Sequence, residues 1–129
     1  MDDAGHVLIV DDHEDFREML TTVLESEGFR VDTAGNGAEA LARLEVHKPR
    51  LILLDLMMPI MSGDVFRQRQ LADLRFKDIP VVCMTAAPDA CTSMPLDAGH
   101  CFQKPVDFDR LVDTVRRYVP VRRSGLTAS

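Results

Sequence analysis

Residues 51–59 read LILLDLMMP and decide the fold of this chain. Four branched apolar residues in a row are typical of a strand covered on both faces, as in a parallel sheet that lies between two layers of helices. The run ends in a carboxylate, Asp55, and a loop follows. A buried strand that ends in an acid indicates that the fold holds this side chain at the edge of a sheet.

Short apolar runs and amphipathic stretches alternate along the rest of the chain, which is typical of repeated βα units. They predict an α/β three-layer sandwich. Strands are predicted at residues 6–10, 29–33, 51–54, 81–84 and 100–103. Helical spacing of apolar residues predicts helices from Phe16 to Gly28, from the cap Asn36 to Pro49, from Val65 to before Pro80, and from the cap Asp107 to Val119.

Residues 86–99 fit this pattern poorly. Pro88 and Pro95 bracket a stretch that is too short for a stable isolated helix, so a short or irregular helix is predicted there. Residues 121–129 follow the last helix and are predicted to form a flexible tail, which leaves residues 1–120 as one domain.

Composition excludes several classes of protein. Hydrophobic residues make up 46% and charged residues 28% of 129 residues, which is typical of a globular domain. The net charge of −6, with no long cluster of Lys and Arg, argues against direct binding to nucleic acid. The N-terminal apolar run is too short for a signal peptide or a membrane helix, so we expect a cytoplasmic protein with no membrane partner.

Three cysteines, Cys83, Cys91 and Cys101, occur without a C-x-x-C motif. An odd number of cysteines in this spacing predicts neither a disulfide framework nor a zinc site. Cys83 lies within an apolar run and is interpreted as a small core residue.

Polar side chains follow the predicted strands at their carboxyl ends. In an open parallel sheet this edge is where ligands bind. The sequence therefore predicts that three acids, a hydroxyl and an amine meet at one edge, supplied by Asp11, Asp12, Asp55, Thr85 and Lys104.

Three carboxylates at one edge require a cation, because like charges raise one another's pKa and an unpaired buried charge is costly. Oxygen ligands without Cys or His favour Mg²⁺. His13 follows the acidic pair, but a solvated or capping role is favoured over ligation because it begins a helix. With the metal bound, the acid on the central strand can attack phosphorus, while Lys104 and Thr85 hold the phosphoryl oxygens.

Four segments carry a resemblance to a known family: VLIVDDHED (7–15), LILLDLMMPIMSG (51–63) with its D-x-x-M-P-x-M-x-G pattern, VVCMTAA (81–87) and QKPVD (103–107). From about residue 6 to residue 119 the chain resembles the receiver domain of two-component response regulators, of which the chemotaxis regulators are examples. The resemblance implies a flavodoxin-like sandwich with a five-stranded parallel sheet of order 2-1-3-4-5 and five helices.

The same resemblance implies a role for each site residue. Asp55 would accept a phosphoryl group from a phosphohistidine on a histidine kinase or histidine phosphotransfer protein. The resemblance implies that Mg²⁺ is held by Asp11, Asp12, Asp55 and the backbone carbonyl of Met57. Thr85 would move toward the phosphate, Lys104 would pair with it, and the bond before Pro105 would be cis. The switched surface would then bind a downstream target protein.

Two departures from the family pattern are visible. The family usually has an aromatic switch residue three positions before its lysine, where this chain has Cys101, with Phe102 one position later. Either Phe102 takes the switch role or it packs in the core. Met57 and Ala87 stand where a side chain can orient an attacking water, and neither can do so well, which predicts slow loss of phosphate.

The resemblance describes a phosphoacceptor that assists its own phosphorylation rather than an enzyme. The alternatives are an aspartyl-phosphate hydrolase, which needs an acid at position 57, and a protein-binding module that works without phosphate. The sequence leaves open whether the chain acts alone or is a piece of a longer kinase or regulator.

Overall fold

The sheet has five parallel strands. We describe residues 5–58, 60–86 and 100–120 of a computed structural model. The strand order is β2-β1-β3-β4-β5, as the family resemblance implied, and every neighbouring pair is parallel. The strands are β1 (Val7–Val10), β2 (Val31–Ala34), β3 (Leu51–Asp55), β4 (Val81–Thr85) and β5 (His100–Gln103).

Helices cover the sheet, and those in the described residues are α1 (Glu14–Ser26), α2 (Gly37–Val46), α3 (Gly63–Ala72) and α4 (Phe108–Tyr118). Both predicted caps are confirmed. The Asn36 side chain accepts a hydrogen bond of 2.8 Å from the backbone N–H of Glu39, and Asp107 caps α4 through the N–H of Arg110 at 3.2 Å. No helix among these residues is both long and apolar enough to cross a membrane.

The predictions of an irregular helix within residues 86–99 and of a flexible tail at residues 121–129 lie, apart from Ala86, outside the described residues. They remain predictions.

Strand residues alternate between two core clusters, one on each face of the sheet. On one face Leu8, Val10, Ile52 and Leu54 pack with side chains of α2 and α3, including Leu44 and Phe66. On the other face Val7, Ile9, Leu51 and Leu53 pack with side chains of α1 and α4, including Leu20 and Leu111. Each buried side chain of this size contributes roughly 1.5–3 kcal/mol, so the central strands are held firmly and their carboxyl ends are fixed in space.

The third helix is shorter than predicted. It ends at Ala72, and Leu74, which was interpreted as part of its apolar face, is 82% exposed in the following loop. The cause is Gln70, whose buried amide donates hydrogen bonds of 2.8 and 2.9 Å to the carbonyls of Phe76 and Ile79. These bonds turn the chain toward β4 because they satisfy backbone groups that a longer helix would have paired itself.

Candidate functional site

The carboxyl ends of the strands bring the predicted site residues to one edge. Asp11 directly follows β1, Asp55 ends β3 and Lys104 directly follows β5. Asp55 is in register with Met84, so Thr85 lies one residue further along the neighbouring strand, where it is fully buried. The sheet topology therefore produces the convergence that the sequence predicted.

The Lys104 ammonium lies between two of the acids. Its Nζ is 2.6 Å from Oδ2 of Asp11 and 3.5 Å from Oδ2 of Asp55. The backbone N–H of Lys104 donates a 2.8 Å hydrogen bond to the carbonyl of Thr85, which fixes where the side chain starts. The bond between Lys104 and Pro105 is cis, as predicted. A cation held at this place partly compensates two carboxylates that are almost completely buried.

Asp55 is only 2% exposed, and its surroundings disfavour the charged form. Burial raises the pKa of this carboxyl to about 6, helped by the nearby charges of Asp11 and Asp12. A hydrogen bond from the backbone N–H of Met57 to Oδ1, at 3.1 Å, and the charge of Lys104 act in the opposite direction. Burial thus outweighs the stabilising charge of Lys104 at this carboxyl.

The three acids and His13 form a cluster with the composition of a metal site. One possible ligand atom from each of Asp11, Asp12, His13 and Asp55 lies within 4.8 Å of the others. Oδ1 of Asp12 is buried and has no hydrogen-bond partner among the described residues. A buried oxygen without a donor is costly, and a bound cation removes that cost. The donor set therefore fits a divalent cation.

Gly63 lies directly against the backbone of the strand that carries Asp55, a contact that was not predicted from the sequence. Gly63 begins α3, and a Cβ at this residue would lie 2.5 Å from the Asp55 carbonyl oxygen and 2.7 Å from Cα of Leu56. The backbone N–H of Gly63 also donates to the carbonyl of Leu56 at 3.2 Å. Only glycine permits α3 to start this close to the strand that carries Asp55.

An aromatic pair beneath the lysine was also missed. The Lys104 ammonium lies 4.5 Å from the centre of the Phe16 ring, and Phe16 stacks with Phe108 at 6.3 Å between centroids. The sequence predicted Phe16 only as part of the apolar stripe of α1. Its contact with Lys104 joins residues 88 positions apart in the chain, and no local pattern indicates it.

Cys101, at the position of the family's aromatic switch, and the neighbouring Phe102 differ in their surroundings. Phe102 is half-buried and packs against the core cluster on the α1 and α4 side, which agrees with the second of the two alternatives. Cys101 is exposed on β5 and is disulfide-bonded, so the expectation of no disulfide is wrong for this residue. Cys83, by contrast, is a free buried thiol whose pKa burial raises to about 12.

Comparison with known families decides the identity. Residues 7–116 match the family model of the response regulator receiver domain. The chain belongs to the receiver domain family. A receiver domain is the phosphoacceptor component of a two-component phosphorelay, and the predicted function class is thereby confirmed.

Individual relatives agree with this assignment. The receiver domain is 34% identical over 120 residues to sporulation initiation phosphotransferase F of Bacillus subtilis, covering 90% of this chain and 94% of that protein. It is 44% identical over 114 residues to the DNA-binding response regulator MtrA of Mycolicibacterium smegmatis, covering 85% of this chain and 48% of that protein. The chain spans about half the length of several curated relatives of this kind.

A solved structure extends the likeness to the fold. The response regulator protein TrrA of Thermotoga maritima, in complex with Mg²⁺ and BeF, matches the receiver domain with a TM-score of 0.80 and 30% identity. The match covers 89% of this chain and 99% of that one. Some relatives are DNA-binding regulators, so the expectation that this chain does not bind DNA directly stays a prediction.

Proposed function

We propose that Asp55 is the phosphoacceptor of this receiver domain and that Mg²⁺ is its cofactor. The observation that carries the proposal is the buried Asp55 carboxyl at the end of the central strand, with Lys104 Nζ at 3.5 Å and Asp11 and Asp12 in the same cluster. Asp11, Asp12, Asp55 and the backbone carbonyl of Met57 would hold the ion. When bound, Mg²⁺ supplies positive charge that stabilises phosphoryl oxygens.

The reaction transfers a phosphoryl group from a phosphohistidine of a histidine kinase or a histidine phosphotransfer protein. An oxygen of the Asp55 carboxylate forms the new bond to phosphorus, while the bond from phosphorus to the imidazole nitrogen breaks and its electrons remain on the imidazole. Burial favours the neutral form of Asp55, so the positive charges of the site are needed to keep this nucleophile ionised.

Lys104 and Thr85 bind the transferred group. The ammonium of Lys104 lies near Asp55 and can form a charge-assisted hydrogen bond to a phosphoryl oxygen. Thr85 is buried on the next strand, and its hydroxyl would follow the phosphate as the switch element. About two added negative charges would then shift an equilibrium between two states of the surface that binds a downstream target protein.

The phosphorylated state is expected to be long-lived, and the domain is expected to act as a phosphoacceptor rather than as a hydrolase. The Met57 side chain is 55% exposed beside Asp55 and has no group that can orient a water for attack. General-base or positioning help of that kind is worth roughly 10²-fold or more in rate. Decay of the phosphorylated protein followed by intact mass should therefore take minutes or longer, and a half-life of seconds would contradict this.

The proposal is tested with acetyl phosphate and Mg²⁺, followed by intact-mass spectrometry. The wild-type chain should gain about 80 Da per phosphoryl group. Asp55→Asn should gain nothing, and the matched control Asp78→Asn, which changes an acid that is 90% exposed, should behave like the wild type. Chelation of Mg²⁺ should abolish the gain. Equal phosphorylation of wild type and Asp55→Asn would refute the assignment.

A further inference from the structure

We propose that His13 is a metal ligand in this site. Its imidazole raises the affinity of the domain for Ni²⁺, Co²⁺ and Zn²⁺ above that of the same site without it, and leaves the affinity for Mg²⁺ unchanged. The inference rests on the proposed function because it uses the same carboxylates. It concerns metal binding alone and needs no phosphodonor. The sequence favoured a solvated or capping role for His13, and the structure places its imidazole within the acidic cluster.

The position of the ring is the first observation. Nδ1 of His13 lies 3.2 Å from Oδ1 of Asp11 and 3.3 Å from Oδ1 of Asp12. The backbone N–H of His13 donates a 2.8 Å hydrogen bond to the same oxygen of Asp11, which holds the residue beside the acid pair. The imidazole nitrogen therefore faces the oxygens that would bind a cation.

The second observation is that α1 does not use the ring. His13 occupies the N-cap position with extended backbone dihedral angles, and its side chain makes no capping hydrogen bond. The side chain is 67% exposed, so a ligand can enter and leave from water. This exposure agrees with the solvated role predicted from the sequence, while the side chain makes no capping bond that would compete with a metal ion for the ring nitrogen.

The third observation is an unequal distribution of positive charge over the acids. Lys104 pairs with Asp11 and lies 3.5 Å from Asp55. Oδ1 of Asp12 is buried, and within the described part of the chain no group donates a hydrogen bond to it. Nδ1 of His13 lies 3.3 Å from this oxygen. A cation between Asp12 and His13 would satisfy both side chains.

The chemistry of the ligands determines which cations bind more tightly when an imidazole is added to the carboxylates. Mg²⁺ takes oxygen ligands and retains several waters, so a nearby imidazole adds little to its binding. Imidazole nitrogen suits Ni²⁺, Co²⁺ and Zn²⁺, and affinity at mixed nitrogen and oxygen sites rises along the first transition row. Three carboxylates plus one imidazole therefore make a site that distinguishes these ions from Mg²⁺.

The test compares metal affinities of the untagged protein by isothermal titration with Ni²⁺, Zn²⁺ and Mg²⁺, each added alone. The variant is His13→Gln, which keeps a polar side chain of similar size at an exposed position. His47→Gln is the matched control, because it removes an exposed histidine at the end of α2, away from the cluster. Circular dichroism of each variant establishes that the fold is retained.

We expect His13→Gln to weaken binding of Ni²⁺ and Zn²⁺ by about tenfold or more while the Mg²⁺ affinity changes less than about twofold. His47→Gln should match the wild type for all three ions. In the wild type, Co²⁺ should also shift the NMR resonances of the His13 ring by its paramagnetism. Equal effects of His13→Gln on Ni²⁺ and Mg²⁺, or no effect on either, would overturn the inference, since His13 would then act only as a counter-ion of the acids.

Failure of this inference and failure of the proposed function have different signatures. Phosphorylation of Asp55 with unchanged Ni²⁺ affinity in His13→Gln refutes the role of His13 and leaves the acceptor assignment intact. Tight, His13-dependent Ni²⁺ binding without any gain of phosphate refutes the acceptor assignment and supports the metal site.

Discussion

The Lys104 ammonium is closer to Asp11, at 2.6 Å, than to Asp55, at 3.5 Å. The lysine therefore stabilises an acid of the cation cluster, and it must share or leave that acid to reach a phosphoryl group on Asp55. Asp11 is fully buried, so removal of its cationic partner leaves an uncompensated buried charge.

The first prediction follows from this ion pair. Lys104→Met should lower the free energy of unfolding by about 3 kcal/mol in the presence of a chelator, as measured by urea denaturation. Mg²⁺ should recover part of the loss, because the ion can then neutralise Asp11. Lys77→Met is the control: Lys77 lies 3.6 Å from the exposed Asp78, and its removal should cost less than about 1 kcal/mol. Equal losses in both variants would contradict the account.

The second prediction concerns pH. Because burial raises the pKa of Asp55 to about 6, the folded state holds this proton more tightly than the unfolded state, where the value is near 4. The group stabilises the fold fully below about pH 4, and this stabilisation is lost as pH rises through 6. Asp55→Asn stays neutral at every pH. Its free energy of unfolding should therefore rise relative to the wild type between pH 4 and pH 6, and above pH 6 the difference should be on the order of 2 to 3 kcal/mol.

The measurement is urea unfolding of both proteins across this pH range with a chelator present. For Asp78→Asn the difference in free energy of unfolding from the wild type should not increase with pH, because this carboxylate is exposed. Addition of Mg²⁺ above pH 6 should reduce the amount by which the free energy of unfolding of Asp55→Asn exceeds that of the wild type. A difference that stays constant with pH would show that Asp55 is not destabilised by burial.

The contact beneath the lysine gives the third prediction. Phe16→Leu removes the ring face that lies 4.5 Å from Lys104 Nζ. Contacts of this kind are worth about 0.5–1 kcal/mol, so the rate of phosphorylation by acetyl phosphate should fall by roughly two- to fivefold. Mg²⁺ affinity should stay the same, since a phenylalanine side chain has no oxygen ligand for this ion. Phe16→Tyr, which keeps an aromatic face, should restore the rate.

A control variant in the core tests whether the slower phosphorylation of Phe16→Leu comes from a misplaced Lys104 or only from a less stable fold. Phe29→Leu alters a buried aromatic residue of the core cluster against which Phe16 packs. It should lower the free energy of unfolding while leaving the phosphorylation rate of the folded protein unchanged. A similar fall in rate in both variants would remove the special role of Phe16.

The close approach of α3 to the central strand gives the fourth prediction. Gly63→Ala should lower the free energy of unfolding by about 1–3 kcal/mol, because its Cβ would lie 2.5 Å from the backbone oxygen of Asp55. Gly35→Ala is matched to it: the nearest atoms, at 3.3 Å, belong to the side chains of Arg17 and Glu39, which can move. Urea denaturation of the two variants should show a loss only for Gly63→Ala, and equal stability would count against the steric argument.

The fold could be predicted from sequence to the extent that local patterns encode it. Apolar runs such as residues 51–54 give the strands because burial on both faces leaves little choice of residue, and Asn36 and Asp107 cap helices through neighbours three positions away. The end of α3 was predicted too late because Gln70 bonds to carbonyls six and nine residues further on. No apolar periodicity records a bond of that kind.

The site residues also fall into those that local sequence patterns predict and those that depend on contacts across the fold. Residues at strand ends were predicted together because parallel strands bring their carboxyl ends to one edge. The roles of Phe16 and Gly63 were missed because each depends on a contact across the fold. A solvated or capping role was predicted for His13 from its position at the start of a helix, while the direction of its ring is set by a rotamer that the sequence does not specify.

Direct chemical location of the phosphoryl group tests the central claim most sharply. After reaction with acetyl phosphate and Mg²⁺, borohydride reduces an aspartyl phosphate to homoserine, which peptide sequencing by mass spectrometry assigns to one position. We predict homoserine at position 55 alone, and none in the presence of a chelator. Homoserine at position 11 or 12, or at several surface acids in equal amounts, would contradict the assignment of Asp55 as the phosphoacceptor.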